Sequence, residues 1–259
     1  MTTAPATSQP TARDREQRPG RIAPVVTIAA AVLLWWLLTT VLAGDDRLLS
    51  SFAPEHAIPA IGELAQRGVL WHDIGSSLWR LLVGLLIAAV VGIPVGLAVG
   101  SFASWERATR PVFQFLRMIS PLSWAPIAVA LFGIGHRPVF FLVAAAAVWP
   151  IVLNTASGVH AVEPGFRMVA RSLGATRTEV LTTVVLPAAR PHILTGLRVA
   201  LGIAWVVLVP AEMLGVDSGL GYQILNARDQ LAYDQMMAVI LIIGTLGYGL
   251  DALARRALR

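Results

Sequence analysis

The sequence contains no cysteine and no lysine, and each absence excludes a class of chemistry. Without cysteine, the chain cannot form disulfides, zinc–thiolate sites or a thiol nucleophile. All twenty basic residues are arginine, so no lysine is available for a phosphate-binding loop, and no GxxxxGK(S/T) pattern occurs. The chain therefore cannot act as a conventional ATPase by itself.

Long apolar runs dominate what is present. Hydrophobic residues make up 56% of the chain and charged residues only 14%, a balance that a soluble domain rarely shows. Crossing a hydrocarbon core takes about 20 helical residues, and six runs approach or exceed that length. They cover residues 22–43, 81–100, 118–135, 138–159, 193–215 and 236–250. We therefore expect an all-α membrane protein with about six transmembrane helices.

The hydrophilic stretches are too short to form a separate soluble domain. Residues 1–21 are rich in proline, threonine, alanine and arginine, which predicts a disordered N-terminal tail. Residues 22–259 then form one transmembrane domain. An apolar stripe between the first two runs contains Ile58, Ile61, Leu64 and Ala65. It indicates either a helix on the outer membrane surface or a loop packed on the span ends.

Arginine is distributed unevenly between the two sides of the predicted spans. With the N-terminus in the cytoplasm, the inner segments carry thirteen arginines and the outer segments carry four. Basic residues concentrate on the cytoplasmic side of membrane proteins, so both termini should lie in the cytoplasm of a multi-pass protein. The net charge of +5 then reflects topology. Nucleic-acid binding would need basic residues interleaved with aromatics on a soluble surface, and no such segment occurs.

One polar stretch, between residues 162 and 193, interrupts the apolar sequence. Pro164 can begin a helix, and Gly174 can end it in the left-handed conformation. Apolar residues recur along one face of this helix at Phe166, Val169, Ala170 and Leu173. Residues 176–179 read as a capping box for a second helix, which Pro187 is expected to stop. Two short helices at the membrane surface suit docking to a partner, although an ordinary loop is the alternative.

Polar and proline residues inside the runs predict a more complex function than anchoring. The prolines are Pro94, Pro121, Pro126, Pro150 and Pro210, and several broken helices favour a transport pathway. An ionisable residue within a span indicates function by default, which applies to Glu212 unless it lies near the outer interface. Asn154 is either functional or a hydrogen-bond link between helices. Arg80 and Arg117 are expected to extend towards lipid head groups.

Several segments resemble a known family. Ala170, Gly174 and, after nine intervening residues, the sequence VVLP at residues 184–187 resemble the EAA-loop signature of ATP-binding-cassette importer permeases. Met168 stands where that signature usually has glutamate. SPLSWAPIAVALFGIG, WPIVLNT and AEMLGVDSGLGY are similar to the nitrate/sulfonate/taurine/bicarbonate branch. They cover residues 120–135, 149–155 and 211–222.

The resemblance implies a type I importer permease fold with a cytoplasmic coupling helix in residues 163–191. It implies a homodimer, two cytoplasmic ATPase subunits, an extracytoplasmic substrate-binding protein and a small-anion substrate. ATP and Mg²⁺ would bind to the partner ATPases, so we expect no cofactor on this chain. The residues expected to contact the ATPase are Val169, Ala170, Leu173, Gly174, Ala175, Leu186 and Pro187.

We expect the translocation pathway and its gate to include Ser120, Trp124, Asn154, Glu212, Gly219 and Gly221. Two other classes of protein stay open from the residues. An ion-coupled secondary transporter could use Glu212 as its ion site, but no convincing internal repeat is present. A membrane-embedded enzyme would need clustered histidines or carboxylates, whereas the five histidines are scattered without an HxxxH or HExxH pair.

Overall fold

The computed structural model describes residues 22–41 and 51–257, which are predominantly helical. The chain forms two compact units, Met1–His56 and Ala57–Arg259. The predicted tail, residues 1–21, lies outside the described residues. In the first unit, helix α1 (Ile22–Thr40) accounts for most of the first apolar run. Near its end, the Trp35 indole donates a 3.1 Å hydrogen bond to the carbonyl of Phe52.

The helices that follow appear in the predicted order. Helix α2 (Pro54–Gln66) precedes the long helix α3 (Val69–Ser101) and the amphipathic helix α4 (Ala103–Met118). A 3₁₀ turn (Pro121–Trp124) leads into α5 (Ala125–Phe132), followed by α6 (His136–His160) and α7 (Pro164–Ser172). One α-helical turn (Arg177–Glu179) and a π-helical segment (Val180–Val185) lead into α8 (Leu186–Glu212). Helices α9 (Leu220–Asp229) and α10 (Tyr233–Ala257) complete the described chain.

Four helical segments in the described residues are long and apolar enough to cross a membrane: Val69–Ser101, His136–His160, Arg177–Glu212 and Tyr233–Ala257. The prediction of one span over residues 118–135 is wrong in detail. Helix α4 and the segment Pro121–Phe132 are bent by 85° at a break after Met118, so together they make at most a fifth, broken span. Helix α1 is a shorter apolar helix.

The prolines mostly fail to break helices. Pro94, Pro150 and Pro210 lie inside the continuous helices α3, α6 and α8, so the predicted series of broken helices is wrong at these positions. Only Pro121 lies at a sharp break, where it begins the 3₁₀ turn. Pro126 lies in the first turn of α5, where a missing N–H removes no helical hydrogen bond.

Small residues allow the central helices to approach closely. Helix α6 packs against both α3 and α8. A stripe on α3 with a spacing of four residues consists of Gly84, Ala88, Gly92, Gly96 and Gly100. A Cβ atom at Gly84 would lie 2.5 Å from Val143 Cγ1, and one at Gly96 would lie 2.6 Å from Thr155 Cβ. Such small-residue stripes bring backbones together where lipid supplies no hydrophobic drive.

The stripe predicted around Ile58 does not form a single buried face. Residues 57, 60 and 64 of α2 are buried, whereas Ile58 is exposed. Ala60 and Leu64 belong to the hydrophobic core, with Ile61 and Ala65 packed against it. The segment is therefore a helix packed against the core through a narrower face than the sequence predicted.

Candidate functional site

The polar stretch forms helix α7 and, after Gly174, the helical turn Arg177–Glu179, as the sequence predicted. Helix α7 ends at a glycine-based C-cap, in which Gly174 has φ +89°. The Gly174 N–H donates to the Arg171 carbonyl at 3.0 Å, and the Ala175 N–H donates to the Ala170 carbonyl at 3.0 Å. This pair of bonds is the Schellman motif. The predicted left-handed glycine is confirmed.

The predicted capping box is also present. The Thr176 hydroxyl accepts from the Glu179 N–H at 3.3 Å, while the Glu179 carboxylate accepts from the Thr176 N–H at 2.7 Å. Each side chain thereby accepts a hydrogen bond from the backbone N–H of the other residue at the start of the helix. The turn of α7 into the next helix is consequently fixed by local hydrogen bonds on both sides of Gly174.

Pro187 does not stop the second helix, so that prediction is wrong. The chain passes through the π-helical segment Val180–Val185 and continues without interruption into α8. The Leu186 N–H donates to the Leu181 carbonyl across a wide turn. Pro187 then occupies the first turn of α8, where a missing N–H has little cost. The polar stretch therefore continues in helical structure directly into the long apolar helix α8.

Helix α7 separates the predicted ATPase contacts into two sets. Val169 and Leu173 are exposed, the latter by 83%. Together with Phe166 and Met168 they form an exposed surface, which we name the apolar face of α7. Exposed apolar patches rimmed by polar residues mark interaction sites.

The inward set faces the transmembrane helices. Ala170 and Ala175 pack against a small buried cluster composed of Val159, Val162, Val180 and Val185. The Arg167 guanidinium donates to the carbonyl of Val159 at the end of α6. Leu186 is partly exposed at the start of α8. The loop therefore contacts the ends of two long helices with one face and leaves the other face open.

A second group of polar residues lies at the other end of α8. Arg80 and Glu212 are fully buried, and the Arg80 Nη1 donates to Glu212 Oε1 at 2.7 Å. The Ser77 hydroxyl lies 2.9 Å from both carboxylate oxygens. Arg80 also donates to the Ser218 carbonyl at 2.7 Å, to the Ser218 hydroxyl at 2.8 Å and to His136 Nδ1 at 2.9 Å. We name these residues and Asp73 the ionic cluster.

The ionic cluster holds the start of α9. The Gly219 N–H donates to Asp73 Oδ1 at 2.8 Å, and the Leu220 N–H donates to Ser77 Oγ at 2.9 Å. The Gly221 N–H donates to the buried carboxylate at 3.0 Å. Amides at a helix start have no partner within the helix, and negative charge is favourable there. The cluster thus fastens the loop before α9 to α3 and α8.

Glycine is required at two positions of this loop. Gly219 has φ +103°, and a Cβ atom there would lie 2.5 Å from Arg80 Nη1. A Cβ atom at Gly221 would lie 2.2 Å from the carbonyl oxygen of Val209. Real Cβ atoms do not approach so closely, so any side chain would push the loop off the ionic cluster.

The chain matches the family model of the binding-protein-dependent transport system inner membrane component over residues 90–258. The chain belongs to this family. It is 41% identical over 187 residues to the bicarbonate transport system permease protein CmpB of Synechococcus elongatus, covering 71% of this chain and 66% of that one. It is 38% identical over 191 residues to the taurine transport system permease protein TauC of Escherichia coli, covering 72% and 70%. The chain therefore spans about two thirds of the length of these family members.

Solved structures of ABC transporters share the fold. The methionine ABC transporter MetNI in an inward-facing conformation aligns with a TM-score of 0.64 at 20% identity, over 74% of this chain and 95% of that one. A bacterial alginate ABC transporter, solved with an alginate-bound periplasmic protein, aligns with a TM-score of 0.61 at 17% identity, over 94% and 98%. These matches and the helical architecture establish the type I permease fold and a multi-pass inner-membrane protein.

The residues predicted for the translocation pathway do not lie together in one site. Glu212, Gly219 and Gly221 meet in the ionic cluster, whereas Ser120 and Trp124 lie at the break between α4 and α5. None of the hydrogen bonds in the described residues joins these two groups. Their part in a pathway stays a prediction.

Two predictions about single residues have different outcomes. Asn154 donates to the Pro150 carbonyl of its own helix at 2.8 Å, and its Cβ would meet a Cβ at Gly196 of α8 at 2.9 Å. Asn154 therefore packs between α6 and α8, but its hydrogen bond lies within α6. The prediction that Arg80 extends to head groups is wrong, because its guanidinium is fully buried and paired.

Four members of the ionic cluster are not predicted by the sequence: Asp73, Ser77, His136 and Ser218. A signal for two of them exists. Asp73, Ser77 and Arg80 are spaced four and three residues apart, so they share one face of a helix. The predicted span begins only at residue 81, which leaves this polar face just outside it.

Proposed function

We propose that this chain is the membrane-spanning permease subunit of an ATP-driven, binding-protein-dependent importer for a small anion. The observation that carries the proposal is the exposed apolar face of α7, held rigidly by the Schellman motif and the capping box. Membership of the family supports it, because the described family members include bicarbonate and taurine permeases. The Arg-only basic composition supports hydrolysis of ATP by a separate subunit.

In the proposed assembly, two copies of the chain pair in the membrane. Two ATPase subunits bind the apolar faces of α7 in the cytoplasm, and a substrate-binding protein docks on the opposite side. The excess of arginine in the segments at residues 1–21, 162–193 and 251–259 supports this orientation, with both termini in the cytoplasm. ATP and Mg²⁺ belong to the ATPase in this assembly.

The contacts of α7 provide a route for movement. Val169 and Leu173 would be held by the ATPase, while Ala170 and Ala175 press on the cluster at the ends of α6 and α8. Since packed interfaces shift as rigid bodies, a displacement of α7 would move the ends of α6 and α8 together. Pro187 lies where α8 receives that displacement.

The ionic cluster gives the opposite end of α8 a defined partner. A rigid displacement of α8 would carry Glu212 with it and would pull on the loop before α9 through Gly221. We propose that this loop, including Gly219 and Gly221, belongs to the outer gate. Glu212 then acts as the residue that fastens the loop to α8.

An ion-coupled transporter that uses Glu212 is the alternative, and the geometry disfavours it. The carboxylate is fully buried and already accepts hydrogen bonds from Arg80, Ser77 and Gly221. A sodium site would need oxygen atoms free to bind the ion.

The two functions differ in what drives uptake. We would reconstitute the chain in proteoliposomes with its ATPase and binding protein and follow uptake of labelled bicarbonate, nitrate and taurine. The importer requires ATP on the ATPase side together with the binding protein, and it ignores proton or sodium gradients. Uptake driven by either gradient without ATP would overturn the proposal. A chain that neither copurifies with an ATPase nor stimulates its activity would also overturn it.

A further inference from the structure

A cavity of about 510 Å³ lies between α4 and the second half of α6. Arg110, Gln114 and Arg117 line it from α4, and Trp149 and Ser157 line it from α6. Residues 110, 114 and 117 share one face of α4. The two arginines are separated by seven residues, about 10 Å along the helix axis. The cavity is large enough for a small hydrated ion.

The charges in this cavity are not balanced. Glu106, the acidic residue that lines it, lies 3.5 Å from His160. Arg110 and Arg117 have no ion pair or hydrogen bond within the described residues. Arg107 on the same helix instead donates to the Ala103 carbonyl at 3.2 Å. Arg110, Gln114 and Arg117 are exposed, so an anion can reach them, and two unpaired guanidinium groups on one helix face favour its binding.

The chemistry of the lining selects an oxoanion. A guanidinium presents a planar fork of N–H donors that matches two oxygens of a carboxylate, phosphate or similar group. The Gln114 amide and Ser157 hydroxyl make no hydrogen bond in the described residues and can supply further donors. The rings of Phe113 and Trp149, with centroids 5.5 Å apart, form an apolar wall beside them. A halide is a single sphere and offers no second oxygen to match the fork.

We propose that Arg110 and Arg117 form an oxoanion-binding site, used by the anion that the transporter carries. Arg117 lines this cavity, and its reach to lipid head groups stays a prediction. The proposal rests on the proposed transport function for its physiological role. Phosphate on an anionic lipid head group has the same chemistry, so the test includes a separate arm for lipid.

The absence of cysteine makes a direct test possible. Gln114→Cys places a single thiol between the two arginines, and Ser104→Cys places one in the first turn of the same helix, away from the cavity. The full chain, in phosphatidylcholine nanodiscs, is reacted with an anionic sulfonatoethyl and a cationic trimethylammonioethyl methanethiosulfonate. We expect Arg110→Gln with Arg117→Gln to lower the ratio of anionic to cationic rates about tenfold at position 114. The ratio at position 104 should stay unchanged.

Competition then identifies the ligand. Nitrate or bicarbonate at millimolar concentration should slow the anionic reagent at position 114, whereas chloride at equal ionic strength, which offers no paired oxygens, should slow it much less. This protection should disappear in the arginine-free variant. If only phosphatidylglycerol in the nanodisc protects position 114, the oxoanion is a lipid phosphate and its role in transport is overturned.

The oxoanion site itself is overturned if the reagent ratio at position 114 is the same with and without the arginines. If Gln114→Cys fails to fold, Ser157→Cys on the opposite wall serves in its place. Arg107→Gln is the matched control for loss of positive charge from α4. Labelling requires neither ATPase nor transport, so failure of the importer proposal leaves this result interpretable by itself.

Discussion

The guanidinium of Arg80 and the carboxylate of Glu212 lie 2.7 Å apart although 132 residues separate them in sequence. Arg80 comes from α3 and Glu212 ends α8, and both are buried completely. This single ion pair therefore joins two long helices and, through Ser218, the loop that precedes α9.

Removing one partner of this pair should be more harmful than removing both. Glu212→Ala leaves the guanidinium buried without a counter-charge, which costs about 3–5 kcal/mol. Arg80→Met together with Glu212→Leu should regain much of that loss, because neither charge then remains buried. Thermal unfolding in detergent, followed by size-exclusion chromatography, measures the difference. Additive losses in the double variant would show that the two residues do not act as a pair.

Glu212→Gln tests whether the charge or the hydrogen bonds matter. The amide can still accept from the Gly221 N–H but removes the negative charge opposite Arg80. We expect reduced stability and reduced uptake together, since the loop before α9 loosens. Normal uptake with this variant would remove Glu212 from the transport mechanism.

Gly219→Ala should destabilise the loop before α9 by a steric clash as well as by backbone strain. Gly215 is the matched control, because it also has a positive φ of 139° but a Cβ atom there would have no other atom within 4 Å. Both alanine variants suffer the strain, while only Gly219→Ala meets Arg80. The clash should add about 1–3 kcal/mol of destabilisation. Equal melting temperatures for the two variants would contradict the clash.

Leu173→Asp should abolish coupling while leaving the folded chain intact. The side chain is 83% exposed, and surface changes alter stability by only about 0.5 kcal/mol. We expect loss of ATPase copurification and of ATP-driven uptake. Leu231→Asp is the control, because Leu231 is another exposed leucine, between α9 and α10, and its φ of 57° suits aspartate. A normal complex with Leu173→Asp would show that the ATPase binds elsewhere.

Gly96→Val should prevent α3 from packing on α6. Its Cβ would lie 2.6 Å from Thr155 Cβ and 2.7 Å from the Val152 carbonyl oxygen. A Cβ atom at Gly202 of α8 would meet no atom within 4 Å, so Gly202→Val is the matched control within a transmembrane helix. The yield of monodisperse protein after extraction should fall sharply for the first variant alone. Equal yields would show that the helices can separate to accept the larger residue.

The sequence predicts the features that depend on residues close together in the chain. Apolar runs indicate the helices, and the Gly174 cap and the box at residues 176–179 follow from fixed local spacings. The family resemblance locates the loop and the fold. These patterns are readable because their hydrogen bonds join residues three to five positions apart.

Features that depend on distant parts of the chain are not readable in this way. The partner of Arg80 lies on another helix, so a charged residue near the end of an apolar run resembles a side chain that reaches for head groups. The 85° bend after Met118 lies where the apolar run begins, and the sequence does not distinguish Pro121 at this break from the prolines that continue inside helices. Pro187 has the properties of a stop signal, but a wide helical turn before it lets the helix continue. Tertiary packing decides each of these outcomes.

The separation of Arg80 from Glu212 has a consequence for synthesis. The ribosome delivers α3 to the membrane long before α8 exists, so the arginine must enter without its carboxylate. Arg80 is the twelfth residue of the 33-residue helix α3, so its insertion costs less than the roughly 2.5–3.5 kcal/mol of an arginine at a helix centre. Until α8 is inserted, the guanidinium of Arg80 has to stay near water or the head groups, and the buried pair forms only when the two halves of the protein meet.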